Sequence, residues 1–410
     1  MTSPLRAFAA LLALWLALVA APALAADAPL TVLISIDGFR ADYLDRGVTP
    51  TLSALAAGGV RGDMRPSFPS KTFPNHYTLV TGLRPDKNGI VDNNMYDPAI
   101  TDKEFTMSRR EVNQDPRWWE EAEPIWVTAE EAGVRTATMF WPGSDIPIHG
   151  VLPSHWQLFD QKVSAQTRVD TALSWLDGPV AERPRFLTLY FDDVDTAGHH
   201  EGPDSPELNA AAAKVDAAIG RFLDGLKARG ITANIIVVAD HGMAPVSQDR
   251  RIFVDDLLDM KAFRYTTAGA FLALNPAPGH EAEVDKALLK PHEHMQCWKK
   301  ADIPARYHYG KNPRVPAIFC LPQTGWEITS HDYHPRTVDV GDHGFDNFAP
   351  EMRAIFVANG PAFRKGVRLP TFDNVDVYPL VAKLLGVMPK PNDGNLADTR
   401  PALTHGGRSD

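Results

Sequence analysis

The sequence predicts an α/β fold built on a mostly parallel sheet. Three observations carry this. Four short runs, Thr31–Ile36 (TVLISI), Arg185–Phe191 (RFLTLYF), Asn234–Ala239 (NIIVVA) and Arg353–Ala358 (RAIFVA), are nearly continuous in apolar character, as strands covered on both faces are. Helical patterns lie between them, and alternation of this kind is the signature of a parallel sheet. Three of the four runs lead directly into aspartate.

The elements follow in order. Arg6 is the only charge before Asp27, Phe8 to Ala20 is an apolar run of 13 residues, and Ala23-Leu24-Ala25 supplies small residues for cleavage. A charged start, a short apolar run and an A-x-A end read as a secretory signal peptide over residues 1–25. A membrane-spanning helix wants roughly 20 apolar residues, and Pro22 cuts this run short. Residues 26–390 read as one catalytic domain, exported to a periplasmic or extracellular space, with no membrane span after cleavage and a monomer expected.

Pro50 to Ala57 reads as a helix with Thr49 as its cap and Gly58 as its stop. Ser205 to Arg229 reads as a longer one: Ser205 caps, Leu208, Ala212, Val215, Ile219, Phe222, Leu223 and Leu226 form one stripe, and Gly230 ends it. Asp376 to Leu385 is a third. Residues 246–343, richer in Pro, His and aromatic residues, read as an irregular insertion or cap on the same core. Residues 391–410 read as a loose polar tail. Cys297 and Cys320, the two cysteines present, suffice for one disulfide in an oxidising compartment, with two buried thiols as the alternative.

The 410 residues carry 41 basic and 51 acidic side chains, a net charge of −10. That argues against a protein that coats a nucleic-acid polymer, which needs a basic face.

The chemistry collects at strand ends. Ile36 runs into Asp37-Gly38, Phe191 into Asp192-Asp193-Val194-Asp195, and Ala239 into Asp240-His241-Gly242. Ligands of open α/β sheets bind outside the carboxyl ends of strands, so these carboxylates are expected on one rim. Asp195 and His199 are four apart, with Gly198 read as a tight bend between them, and Asp342-His343 adds a further pair. Mixed Asp and His ligation suits zinc, and several such strand ends can hold two ions ~4 Å apart. The remaining histidines, His76 among them, read as structural or surface residues. In Ser70-Lys71-Thr72-Phe73-Pro74, Pro74 places Thr72 at a helix start. Read locally, Thr72 is first a helix cap; beside metal ions the same hydroxyl could ionise and attack phosphorus.

Six blocks then carry a resemblance: I-D-G-F-R (36–40), K-T-F-P-N-H-Y-T-L-V-T-G-L (71–83), N-N-M-Y-D-P (93–98), F-W-P-G-S-D (140–145), T-L-Y-F-D-D-V-D-T-A-G-H (188–199) and A-D-H-G-M (239–243). Together they resemble the nucleotide pyrophosphatase/phosphodiesterase family of the alkaline phosphatase superfamily, from about Leu33 to Asn374. The resemblance implies an alkaline-phosphatase-like three-layer sandwich and two Zn²⁺ per chain. It matches Asp195, His199 and His343 to the ligands of one zinc, and Asp37, Asp240 and His241 to those of the other. Thr72 matches the nucleophile, which also touches the second zinc. Asn93 matches a residue that binds a non-bridging phosphate oxygen, and Phe73 and Tyr190 match aromatics that hold a nucleobase. Without the resemblance, Asn93 reads as a turn residue and the two aromatics as core. The strand-end motif D-D-V-D departs from the E-E-P-D of many relatives, and the chain looks like the minimal bacterial form.

The implied reaction attacks a small nucleotide phosphodiester or pyrophosphate through a phospho-threonine nucleotidyl intermediate, releasing a nucleoside 5′-monophosphate. The backbone N–H after Thr72 is expected to help stabilise the non-bridging oxygens. Alternatives are a phosphomonoesterase of alkaline-phosphatase type, a choline-phospholipid phosphodiesterase of the lysophospholipase C branch, a sulfatase suggested by Ser67-Phe68-Pro69-Ser70-Lys71, and a metal-dependent binding protein that has lost catalysis.

Overall fold

The computed structural model describes residues 29–333 and 338–404. The signal-peptide segment expected over 1–25 lies outside them. Within the described residues no helix is long and apolar enough to cross a membrane.

Strands β1 (Leu30–Ile36), β2 (Val60–Arg65), β3 (Thr136–Met139), β4 (His155–Trp156), β5 (Phe186–Phe191) and β6 (Ala233–Val238) belong to one nine-stranded sheet. The strands of an inserted region come next in the chain: β7 (Phe263–Thr267), β8 (Leu272–Pro276), β9 (Met295–Lys299) and β10 (Ile318–Pro322). The chain then returns to the main sheet with β11 (Ala354–Asn359), β12 (Val367–Arg368) and β13 (Phe372–Asp373). The order across the main sheet is β12-β2-β11-β6-β1-β5-β3-β4, with β13 also on β2. Pairing is parallel except at β11, which runs antiparallel to β2 and to β6. The four runs read from the sequence are thus β1, β5, β6 and β11, and all but the last share one direction. Every residue of β1 and β5 is buried, so both faces of the central strands are covered and the fold has three layers.

Helices supply the outer layers. They include α1 (Pro50–Ala57), α2 (Thr72–Thr81), α3 (Ala165–Ser174), α4 (Asp193–Glu201), α5 (Pro206–Ala228) and α6 (Val377–Leu385). Helix α5 packs with α1, α3 and α4, while α6 packs with α2. The expected stripe on α5 buries Leu208, Ala212, Val215, Ile219, Phe222 and Leu226, and Ser205 Oγ accepts the Leu208 N–H at 3.0 Å. The cap expected on α1 is different. Thr49 makes no side-chain cap; Asp216 of α5 accepts the Thr51 and Leu52 N–H groups at 3.0 and 2.8 Å. A charged acceptor from a packed neighbour has replaced a local hydroxyl, which no short-range pattern reveals.

The inserted region folds its four strands into an antiparallel sheet, β7-β8-β10-β9. It has an apolar core of its own, including Val254, Leu258, Phe263, Leu274, Val284 and Ile318. Cys297 and Cys320 face each other across β9 and β10 and form a disulfide. Two contacts anchor this region. Asp86 accepts the N–H groups of Gly310, Lys311 and Asn312, and the buried Arg314 guanidinium donates to the carbonyls of Gly89 and Trp118.

The tail is packed up to residue 404, contrary to the loose segment expected. Leu396–Thr399 is a helical turn, Thr399, Ala402 and Leu403 are buried, and Leu403 bridges to Phe363. These few side chains suffice to hold a segment whose composition is otherwise polar.

Candidate active site

Because β5, β1 and β6 are parallel neighbours, their carboxyl ends lie side by side. This brings Asp37 and Asp240 together from the ends of β1 and β6. Asp195 follows β5 one turn into α4, and His199 lies one turn further along the same face. Gly198 makes no bend here, contrary to expectation. It is an ordinary residue of α4, and a side chain there would meet Met243 Cε at 2.9 Å. His343 arrives from the far end of the inserted region. Gly341–Asp342 pairs antiparallel with Ala244–Pro245, and this short ribbon stacks His343 on His241 with ring centroids 3.5 Å apart.

The three histidines share one arrangement. His241 Nδ1 lies 2.8 Å from the Gly242 carbonyl, His343 Nδ1 2.8 Å from that of Ser70, and His199 Nδ1 2.9 Å from that of Gly341. A carbonyl only accepts, so each Nδ1 carries a proton, and in the neutral ring each Nε2 keeps a lone pair for a metal. Those lone pairs point at carboxylates. His241 Nε2 is 2.9 Å from Asp240 Oδ2, 3.4 Å from Asp37 Oδ1 and 3.3 Å from Thr72 Oγ1. His199 and His343 place Nε2 at 3.6 and 3.7 Å from Asp195 Oδ1. Asp37 Oδ1, Asp195 Oδ1 and Asp240 Oδ2 are buried with no hydrogen-bond donor among the described residues. Lone pairs facing carboxylate oxygens in a buried site are balanced either by a bound cation or by uptake of a proton. The donor set of imidazole nitrogen and carboxylate oxygen fits metal ions of the zinc type. The ligand atoms of Asp195, His199 and His343 lie within 4.8 Å of one another, as do those of Asp37, Asp195 and His241.

The site is electrostatically crowded: burial lowers the His241 imidazole, but the adjoining Asp240 carboxylate outweighs it and raises that group above its ordinary value. Burial pushes the Asp37 carboxyl well above the usual carboxylate range, and the neighbouring Asp240 and Asp195 push it further. Burial acts the same way on Asp240, yet His241 and His76 outweigh it and hold that group well below the usual range. Burial, then His241 and Lys71, hold His343 well below the ordinary imidazole value, in the neutral form that coordinates metals.

Thr72 opens α2, with Lys71 at the cap position. The N–H of Phe73 does not face the site freely, contrary to expectation. It donates to Asn93 Oδ1 at 2.8 Å. That bond fixes the Asn93 amide, so its Nδ2 donor is turned away from Phe73 and remains available. Asn93 is held in turn by Asp92, whose Oδ1 accepts the Asn93 N–H at 2.7 Å.

A cavity of about 290 Å³ opens beside Thr72. Phe73, Trp119, Trp141, Phe159 and Tyr190 form its walls, and Asp37 and Asp195 lie at its floor. Tyr190 has two contacts to offer: its ring faces the cavity, and its hydroxyl donates to Asp37 Oδ2 at 2.6 Å. Phe159, 41% exposed, is an aromatic wall that sequence reasoning passed over. Trp141 stands inside the quoted F-W-P-G-S-D block, which is where a signal for it was present. Asp192, the first strand-end aspartate after β5, is held by buried Arg168 at 2.7 Å. A wider groove of about 910 Å³ on the inserted region, lined by Pro291, Trp298 and Arg306 among others, contains none of the expected site residues.

The sequence profile of the type I phosphodiesterase / nucleotide pyrophosphatase family matches residues 31–346, which include every residue named at this site. The chain belongs to that family. A pyrophosphatase/phosphodiesterase of Schizosaccharomyces pombe is 42% identical over 386 residues, 90% of this chain and 79% of the relative. The Xenopus laevis protein named bis(5'-adenosyl)-triphosphatase is 36% identical, over 92% of this chain and 82% of the relative. The bovine ectonucleotide pyrophosphatase/phosphodiesterase family member 3 is 37% identical, but this chain spans only 44% of its length. Among solved structures, the inactive threonine-to-alanine form of murine ectonucleotide pyrophosphatase/phosphodiesterase 5, in complex with AMP, superposes with a TM-score of 0.88 at 34% identity. That comparison covers 92% of this chain and 100% of the murine one. The family fold and residue groups that could hold metal ions therefore coincide in one chain.

Proposed function

We propose that this family member is a two-zinc hydrolase that cleaves small nucleotide phosphodiesters or pyrophosphates through a phospho-threonine intermediate and releases a nucleoside 5′-monophosphate. The observation that carries the reading is the convergence of three imidazole Nε2 atoms on three donor-less carboxylate oxygens, with the Thr72 hydroxyl 3.3 Å from one of those nitrogens. Asp195, His199 and His343 would hold one ion. Asp37, Asp240, His241 and Thr72 Oγ1 would hold the other. When bound, the ions supply the Lewis-acid charge that favours an ionised threonine hydroxyl and a departing oxyanion.

The chain's own groups do the rest. Thr72 Oγ loses its proton to solvent and attacks phosphorus in line; the Oγ–P bond forms as the bond to the leaving oxygen breaks. Asn93 Nδ2 donates to a non-bridging oxygen whose charge grows in the transition state. The aromatic walls, Phe73 and Tyr190 among them, hold the nucleobase and keep water from the cavity. Water then breaks the Oγ–P bond, returning the threonine and releasing the monophosphate. Two divalent ions more than neutralise three ligand carboxylates, so the local sign is positive although the chain as a whole is acidic. Residues 26–390 act as one exported catalytic domain in this reading, as a monomer, with residues 246–343 as its cap.

The test is a product assay on ATP, NAD and a dinucleoside polyphosphate, with zinc and with a chelator, alongside bis-nitrophenyl phosphate and nitrophenyl phosphate. Nucleoside monophosphate release, diester turnover well above monoester turnover, and loss of both on chelation are expected. Thr72→Ala should lower diester turnover by about 10³-fold or more while zinc content stays near normal. Near-normal turnover by that variant would remove the nucleophile assignment. Activity on glycerophosphocholine with none on nucleotides would overturn the substrate class.

A further inference from the structure

His76 lies one turn after Thr72 on α2 and is fully buried. Its ring fills the space between three strand ends and the nucleophile. Nε2 is 2.8 Å from Ser35 Oγ on β1, two residues before Asp37. Nδ1 is 2.9 Å from the Thr72 carbonyl and 3.3 Å from Asp240 Oδ2. Both oxygens accept only, so Nδ1 carries the proton, and Nε2 takes the serine hydroxyl. In His199, His241 and His343 the Nε2 lone pair faces the carboxylates; in His76 it faces away, toward Ser35. This separates His76 from the ligands, although a ligating atom of its ring lies within 4.8 Å of those of Asp37 and Asp240. The ring is clamped edge-on by Trp141 and Tyr190, each 5.1 Å away, and Trp141 Nε1 donates to the His76 carbonyl at 2.9 Å.

We propose that His76 is a positioning residue, whose Nδ1–H fixes the start of α2 against Asp240 so that the Thr72 hydroxyl and one ion's ligand set keep a common register. The argument is one of degrees of freedom. Asp240 Oδ2 accepts no hydrogen bond among the described residues, so the His76 Nδ1 edge 3.3 Å away is an electrostatic contact. The same Nδ1–H bonds the Thr72 carbonyl and so holds the backbone of the residue that carries the hydroxyl, at a helix start whose own free groups are N–H donors. A stiff ring anchored at Ser35 and clamped by two aromatics removes both freedoms at once. Partners of this kind, one shell beyond a metal, typically change affinity or rate by 10- to 100-fold when lost.

The inference rests on the two-ion reading above, and the experiment separates them. Zinc stoichiometry and affinity are measured on the full chain by chelator competition, with kcat and KM on a nitrophenyl nucleotide diester. His76→Asn places an amide donor near the position of Nδ1; His76→Gln places it near Nε2, serving Ser35 only. The expected result is that H76Q loses roughly 10- to 100-fold in affinity for one of the two ions and a similar factor in kcat, with KM within a few-fold. H76N should recover most of both. Wild-type affinity in H76Q, equal weakening of both ions, an H76N no better than H76Q, or failure of both variants to fold would each overturn the proposal. If the wild-type chain binds no zinc, the two-ion reading fails instead.

Discussion

A single hydrogen bond decides what Asn93 can do. Asn93 accepts the Phe73 N–H through Oδ1, and among the described residues its Nδ2 donor has no acceptor. Asn93→Ala should therefore lower kcat/KM on a diester by about 10²- to 10³-fold, as loss of one oxyanion donor does. Zinc content, checked by metal analysis, should remain unchanged, because Asn93 is not among the expected ligands. The same scale shows how much of the site was readable. Asp37, Asp195, His199, Asp240 and His241 stood out at or just after strand ends, and His343 as part of a further Asp-His pair. His76 did not, although it lies in the block 71–83, because a histidine inside a buried helix looks the same whether it supports a site or fills a core. The tautomers were also invisible, since the carbonyls of Ser70 and Gly341 that set them lie far away in sequence.

Elements succeed where their signals are local. The cap and stripe of α5 were legible because Ser205 and its partner Leu208 N–H are three residues apart. The cap of α1 was not, because Asp216 reaches it from another helix. Replacing Asp216 by Ala should cost about 1–2 kcal/mol, the range of a lost N-cap, read as a lower urea midpoint with unchanged slope; Thr49→Ser should leave that cap intact. Close approach explains the glycines at the rim. A Cβ on Gly242 would sit 2.1 Å from the Glu351 carbonyl oxygen, so the turn that carries His241 tolerates no side chain there.

At the scale of the molecule, the inserted region contributes one residue to the site. Its return ribbon delivers His343, and Asp86 and Arg314 hold it to the core. Asp376, which accepts the Asn395 N–H, stores a pH dependence. Burial, reinforced by Asp398 and Asp373, pushes the Asp376 carboxyl up to about 7. A folded value above the unfolded one means that the native state binds the extra proton. The associated stability is full below about pH 4 and is lost as pH rises toward 7. Asp376→Asn, whose amide oxygen can still accept the Asn395 N–H now bonded at 2.7 Å, removes that loss. The variant should exceed the wild type in urea unfolding, by a margin that grows from pH 5 to pH 8 and reaches on the order of 1–2 kcal/mol after solvent screening.

The class of the fold, the strands that carry the chemistry and the residue types of a zinc-like site were all legible in one dimension, because buried parallel strands and strand-end carboxylates leave local signatures. Folding alone set which imidazole nitrogens converge on which carboxylates, gave the Phe73 N–H to Asn93, placed Gly198 within a helix and packed the tail as far as residue 404. Each of these depends on a partner brought close by folding, and a one-dimensional pattern holds no distance between residues so far apart.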